Sequence, residues 1–387
     1  MIPYGRQDIT QQDIDAVIDI LSSDFLTQGP VVPKFEETIS SYCNSKYAVA
    51  VNSATSALHI SCLALNLGPG DWLWTSPNSF AASSNCALYC GAKVDFVDID
   101  PQTYNMSIKC LSEKLEQAKK DNKLPKIVIP VHLSGQSCDM EAIYKLSKRY
   151  GFKIIEDASH AIGGKYKNKP VGSCKYSDIT VFSFHPVKII TSGEGGMSLT
   201  NNPALANHMR LLRSHGISSN EEDKRTRPPE ELWNYQQIGL GFNYRMTDIH
   251  AALGVSQMQR LDEFVTKRQL IAKKYNKALS HLPLIIPHQL KDSYSSFHLY
   301  VIRLKLDEIN KTHKEVYEAL RAIGIQVNLH YIPIYRMPYY EHLGFDQGYC
   351  PQAEKYFSEA LSIPMYPRLK ESELRFIISS LSSILLS

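Results

Sequence analysis

No stretch of this chain approaches the roughly 20 consecutive apolar residues that a membrane-spanning helix needs. Charge of one sign is not in excess either. Lys and Arg number 42 against 39 Asp and Glu, and a net charge of +3 with no long basic run does not favour nucleic acid or an anionic membrane as a partner. The eight cysteines are scattered and no two stand as Cys-x-x-Cys, which argues against a zinc site or a redox dithiol. Reduced thiols in a cytoplasmic enzyme are the expectation. The opening MIPYGRQDITQQDIDAVIDIL lacks the basic-then-apolar layout of a signal peptide. Internal repeats and low-complexity tracts are missing as well. The one strongly polar tract is Ser218–Glu231, SSNEEDKRTRPPEE, which reads as a mobile surface loop.

What is present is an alternation of short apolar runs and longer helical patterns. KYAVAV, DWLWTS, KVDFVDI, KIVIPVHL, FKIIED, SDITVFSF and GGMSLT read as strands. TSALHISCLALNL, the Phe80–Tyr89 segment and DMEAIYKLSKRYG read as helices between them. Such alternation predicts an α/β fold, a mostly parallel sheet covered on both faces. One helical pattern from Asp248 to about Leu279 leads into a smaller domain. That part holds the strand HLYVIRLKL, a helix near Lys314–Ile323, IQVNLHYIPIY and two closing helices. The expected division is 1–265 and 266–387.

Ligands of open parallel sheets sit at the carboxyl ends of the strands, and four polar groups fall at such ends. In VAVNSATSALH, Ser53, Thr55 and Ser56 open a helix whose free N–H groups either are capped by these hydroxyls or bind phosphate. In FKIIEDASH, Asp157 ends an apolar strand; its partner is a structural cation, a helix N-terminus or a protonated pyridine nitrogen. His160, three residues on, either is structural or faces the same ring. In FSFHPVKIITSGEGG, Ser183 can donate to phosphate, and Lys188 stands among Val187, Ile189 and Ile190. An amine with apolar neighbours has a depressed pKa and becomes a Schiff-base nucleophile. The glycines after Lys188 match neither a Walker loop nor Gly-x-Gly-x-x-Gly. In SFAASSNCALYCG, Phe80 is a core residue or a stacking face for a planar cofactor. The order of phosphate cradle, carboxylate and lysine fits a large pyridoxal phosphate domain.

EDASHAIGGKYKNKPVGS, SDITVFSFHPVKIITSGEGGMSLTNN, LTQGPVVPKFEE, VNSATSAL, GLGFNYRMTDIHAALGVSQ and HYIPIY together resemble the DegT-type sugar aminotransferases over nearly the whole chain. The resemblance implies fold type I, with a seven-stranded sheet in the large domain and a smaller α+β C-terminal domain. It implies pyridoxal 5′-phosphate on Lys188, with Asp157 at the pyridine nitrogen, His160 near the ring oxygen and Phe80 on the ring face. Ala54, Thr55 and Ser183 would hold the phosphate, with Asn243 supplied by the partner subunit of a homodimer. Within the family, IPYGRQDI, LTQGP and NLHYIPIY most resemble enzymes of the pseudaminic acid pathway, which act at C4 of a UDP-linked 4-keto-6-deoxy-N-acetylhexosamine. Tyr4, Asp24, Phe25, Leu26, Thr27, His330 and Tyr331 are then the substrate-side candidates, and glutamate the amino donor. Arg245 either meets the donor carboxylate or sits in a structural ion pair, the reading the sequence favours. A related branch that dehydrates sugars at C3 carries histidine at the lysine position, and Lys188 argues against it. The alternatives are another UDP- or dTDP-linked ketosugar, or a pyridoxal phosphate sensor without activity.

Overall fold

The computed structural model describes residues 1–218, 231 and 233–387. Most of the tract expected to be a mobile loop, residues 219–230, lies outside the described residues. Seven strands form the principal sheet: β1 (Tyr47–Val51), β2 (Trp72–Thr75), β3 (Lys93–Phe96), β4 (Ile127–Ile129), β5 (Lys153–Asp157), β6 (Ile179–Ser183) and β7 (Gly196–Thr200). In space they lie in the order β1, β7, β6, β5, β4, β2, β3. All pairings are parallel except those of β7, which runs against both β6 and β1. The central strands are apolar throughout because helices cover both faces; Ile127, Val128 and Ile129 are fully buried.

The crossover helices start and stop where local chemistry requires. The helix Met140–Tyr150 begins at Asp139, whose carboxylate accepts the Ala142 N–H at 3.2 Å. It ends at Gly151, which adopts φ 83°, a conformation that costs a residue with a Cβ. Met140 and Ile143 face the sheet, and Lys148 and Arg149 sit in the last turn, where cations suit the helix dipole.

Two expected elements are corrected. The helix read as Phe80–Tyr89 begins at Ala82, and Phe80 stands before it, 65% exposed. The single helix read from Asp248 to Leu279 is two, Asp248–Met258 and Leu261–Leu279. The periodicity runs on, but a tertiary contact interrupts it. Arg260, between the two, turns back to Asp8 at 3.2 Å and Asp13 at 2.5 Å near the chain's start. The second helix serves two cores. Leu261, Phe264 and Val265 pack with the principal sheet, whereas Ile271, Ala272, Tyr275 and Leu279 pack with a smaller one. We propose a domain boundary at 265/266 on that change of core. The smaller sheet is antiparallel, with β8 (Leu284–Ile285), β9 (Tyr300–Leu304) and β10 (Ala360–Ile363) in that order. The helices His313–Ala322 and Glu371–Leu386 pack with it. The chain's start joins this part: the Ile2 N–H donates to the Gly324 carbonyl and the Gln326 N–H to the Ile2 carbonyl, both at 2.8 Å.

The topology brings the carboxyl ends of β1, β5 and β6 to one edge. Because β7 is reversed, its first residue, Gly196, reaches the same edge, opposite both Val51 and Ser183. Side chains alternate across a strand, so Glu156 and Asp157 face opposite ways. Glu156 is anchored beneath the site, accepting from His132 Nε2 at 2.7 Å, Thr180 Oγ1 at 3.1 Å and Ser177 Oγ. His132 Nδ1 accepts the Cys138 N–H, which leaves the imidazole proton on Nε2 for Glu156. Glu156→Ala orphans these buried donors and is expected to cost about 3–5 kcal/mol. The check is the unfolding midpoint in denaturant; a midpoint equal to that of wild type would show the carboxylate to be dispensable.

Candidate active site

Asp157 closes β5 and is 5% exposed. Its Oδ2 accepts from Ser83 Oγ at 2.6 Å; its Oδ1 accepts from the Ser159 N–H at 3.1 Å and Ser159 Oγ at 2.6 Å. These donors hold the carboxylate in one orientation, and a carboxylate has room for about four hydrogen bonds, so it can take one more.

Lys188 follows β6 in a turn closed by its own N–H to the His185 carbonyl at 2.9 Å. Ile189 and Ile190 beside it are buried, while Lys188 is only half-buried, at the floor of an open cleft. Crowding by protein pushes its pKa down to about 8, against the upward pull of the Asp157 charge. Near neutral pH about a tenth of the amine is therefore unprotonated, far more than for an ordinary lysine.

Imidazoles and a phenol line the same cleft. His160 Nδ1 accepts the Ser134 N–H at 3.3 Å, which places the proton on Nε2, 3.2 Å from Tyr331 Oη. The two rings lie 21° from parallel. Burial first, then the charge of Lys188, holds His160 neutral, well below the usual range. His330 is pushed down to about 3 by burial and by Lys188. It hydrogen-bonds Ser362 Oγ at 2.8 Å and packs against Tyr4, ring centroids 5.2 Å apart. Phe80 lies at the mouth, 6.5 Å from the Tyr331 ring. The cleft thus presents one amine, one carboxylate and neutral imidazoles that do not compete for the proton.

A third feature adjoins these. The helix Ala54–Ala64 starts at Ser53, whose Oγ accepts the Ser56 N–H at 3.1 Å and leaves the N–H groups of Ala54 and Thr55 open. Gly196 permits this helix to approach β7: a Cβ there would lie 2.4 Å from the Ser53 carbonyl oxygen and 2.5 Å from Ala54 N. Ser183, opposite Gly196, is buried, and its hydroxyl has no protein partner among the described residues. Open N–H groups, an unpaired hydroxyl, a carboxylate and an amine of lowered pKa fit pyridoxal phosphate at its phosphate, ring nitrogen and carbonyl carbon.

The structure therefore gathers Lys188, Asp157, His160, Ser183, Ala54, Thr55, Phe80, Tyr4, His330 and Tyr331 around one cleft. It does not bring the others there. Asp24, Phe25, Leu26 and Thr27 lie exposed, anchored where Thr27 bridges Thr247 and the Leu26 carbonyl accepts the Asp248 N–H. Asn243 is exposed and bridges Ser214 through its backbone. The ion pair expected of Arg245 does not form among the described residues. Arg245 instead borders a cavity of about 220 Å³ with Gln28, Gly29 and Arg213. Sequence reasoning missed Ser83, Ser159 and His298. The spacing Asp157-x-Ser159 is an Asx-turn signal. Ser83 looks like any first-turn serine. His298 is masked by its place at the head of an apolar strand.

Fold and site together define a pyridoxal phosphate-dependent aminotransferase of fold type I. The chain belongs to the DegT/DnrJ/EryC1/StrS aminotransferase family, whose profile matches residues 7–382. It is 39% identical over 386 residues to the UDP-4-amino-4,6-dideoxy-N-acetyl-beta-L-altrosamine transaminase of Campylobacter jejuni, covering 100% of this chain and 98% of that one. Helicobacter pylori PseC, an aminotransferase involved in the biosynthesis of pseudoaminic acid, superposes with a TM-score of 0.89 at 30% identity, covering 100% and 99%. The PLP form of the sugar aminotransferase Spr1654 from Streptococcus pneumoniae superposes at 0.87 with 29% identity, covering 99% and 98%. The molecule is a sugar aminotransferase that acts on nucleotide sugars.

The Lys188 environment predicts a pH dependence. In the protein freed of cofactor, Schiff-base formation with added pyridoxal phosphate requires the neutral amine. Its rate is expected to rise through about pH 8 rather than near 10.5. Asp157 raises that value, so Asp157→Asn shifts the midpoint downward. Stopped-flow absorbance across pH reads both, and a midpoint unmoved or raised in Asp157→Asn would contradict the electrostatic account.

Proposed function

We propose that this enzyme transfers the amino group of glutamate to C4 of UDP-4-keto-6-deoxy-N-acetylaltrosamine, in pseudaminic acid synthesis, as a cytoplasmic homodimer. The observation that carries the reading is the full-length likeness to the Campylobacter transaminase. Bound pyridoxal phosphate supplies an electron sink for the carbanion at the donor's α carbon. Lys188 would hold the cofactor, and its amine, when free, would serve as the base that takes the proton from the donor's α carbon and gives it back. Asp157 would pair with the ring nitrogen and favour its protonated form. His160, neutral, would serve the ring oxygen, and Phe80 the ring face. Ala54 and Thr55 N–H and Ser183 Oγ would hold the phosphate. Tyr4, His330 and Tyr331 form the sugar side. The substrate test is a panel of UDP- and dTDP-linked ketosugars with glutamate, product stereochemistry being read by NMR. The altrosamine ketosugar is expected to give the highest kcat/KM. A dTDP ketosugar turned over with a higher value would move the enzyme to another pathway.

Asn243 and the Asp24–Thr27 segment support the dimer. They match the family's site residues in sequence, yet they lie exposed rather than around Lys188; Phe25 is 55% and Leu26 48% exposed. In a two-fold dimer each subunit would lend them to its partner. Homodimers of Lys188→Ala, and of Asn243→Glu, are expected to be nearly inactive. Mixed by dissociation and reassociation, the two should regain about a quarter of wild-type sites, since half of the dimers are hybrids with one intact site each. No recovery, with exchange of tagged subunits verified, would refute the shared site.

A further inference from the structure

Arg268, in the helix Leu261–Leu279, is 1% exposed and forms no ion pair among the described residues. Its Nη1 donates to three main-chain carbonyls, those of Phe297 at 3.0 Å, His298 at 3.1 Å and Met365 at 2.9 Å. Its Nε is sealed and unpartnered. Burial lowers its pKa to about 9, which still leaves it charged at neutral pH. A buried cation with no carboxylate is costly, and an apolar side chain of similar volume would fill the space at less expense.

Both segments it holds lead to the cleft. The first is strained. Phe297 has φ 47°, in the left-handed region that a bulky residue avoids. The turn is pressed against the floor of the site: a Cβ on Gly135 would lie 2.8 Å from Phe297 N and 3.1 Å from the His160 carbonyl oxygen. Ser296 Oγ donates to that His160 carbonyl at 3.1 Å, and Ser296 N–H to the Gly135 carbonyl at 3.1 Å. The turn delivers His298, buried and with Nδ1 unpartnered, to within 4.4 Å of the His160 ring. The second segment is tied to the sugar side. Met365 donates its N–H to the Tyr4 carbonyl at 2.9 Å, and Tyr4 packs on His330.

We propose that Arg268 is a positioning residue for transamination: one guanidinium holds the strained turn that sets His298 against His160 and fixes the Met365 segment that seats Tyr4. It touches neither cofactor nor substrate and acts through these groups. A strained conformation persists only where its surroundings over-determine it, and the bond from Arg268 to the Phe297 carbonyl is part of that determination. This rests on the transaminase assignment and not on which sugar is used, so the assay takes whichever nucleotide ketosugar the wild type turns over.

The test compares the holoenzyme of wild type, Arg268→Met and Arg268→Lys. Three quantities are read: amide hydrogen exchange over residues 295–299, cofactor affinity by absorbance titration, and single-turnover rates of the donor and sugar half-reactions. In Arg268→Met, exchange at His298 and Leu299 should rise, and both half-reactions should slow about 10- to 100-fold, as expected for displacement of catalytic groups by around 1 Å. Cofactor affinity should stay within about threefold, because the phosphate cradle lies on other elements. Arg268→Lys should fall between, since an ammonium keeps the charge but not the planar fork. If the Met variant does not fold, the Lys variant carries the same comparison. Rates within about twofold of wild type would overturn the proposal. So would a rate loss matched by an equal loss of cofactor affinity without faster exchange at 295–299, or the failure of both variants to fold; each marks Arg268 as merely structural.

Discussion

A hydrogen-bonded carboxylate and an amine of lowered pKa act on each other within one cleft, and the neighbouring structure is arranged around that pair. Burial penalises both charges. Asp157 is compensated locally: Ser83 and Ser159 give it hydrogen bonds through O–H and N–H donors. Lys188 is left uncompensated apart from the field of Asp157. The asymmetry separates their roles. Were Lys188 given a hydrogen-bonded carboxylate of its own, it would remain an ammonium and lose its nucleophilicity. The imidazoles of His160 and His330 keep the same discipline, since as cations each would be repelled by Lys188.

The sheet makes this arrangement possible by one reversal. Six strands running in one direction carry their ends to one edge, and the seventh contributes its beginning. Gly196 uses that position to let a helix start closer to the sheet than any side chain would allow. On the proposed reading, phosphate recognition is a matter of backbone approach as much as of side-chain identity.

The parts of the site legible in the sequence were those fixed by local order. Lys188, Asp157 and the Ser53–Ser56 helix start each follow an apolar run, and the strand-end rule for parallel sheets then gathers them. The sheet itself was legible for the same reason, since buried strands are apolar throughout. What escaped was set by contacts remote in the chain. The break at Arg260 depends on Asp8 and Asp13, some 250 residues earlier in the chain. Ser83 gains its meaning only from Asp157, and His298 only from a turn held by Arg268. Among the described residues Arg245 has no ion pair, because composition supplies carboxylates without saying where they point. Phe80 was placed in the right cleft but in the wrong element, since nothing local marks the first turn.

The hydrogen bonds of Ile2 with Gly324 and Gln326 also set a schedule. During synthesis Ile2 leaves the ribosome well before its partners, which lie some 320 residues further along the chain. At about 5–20 residues per second the interval is roughly 15–60 s. Over that time the principal sheet can assemble while the first residues remain unclaimed by the smaller sheet. Tyr4, two residues along, takes its place against His330 only after translation has reached that residue. The Tyr4–His330 side of the cleft is therefore completed late, by a segment made well before its partners.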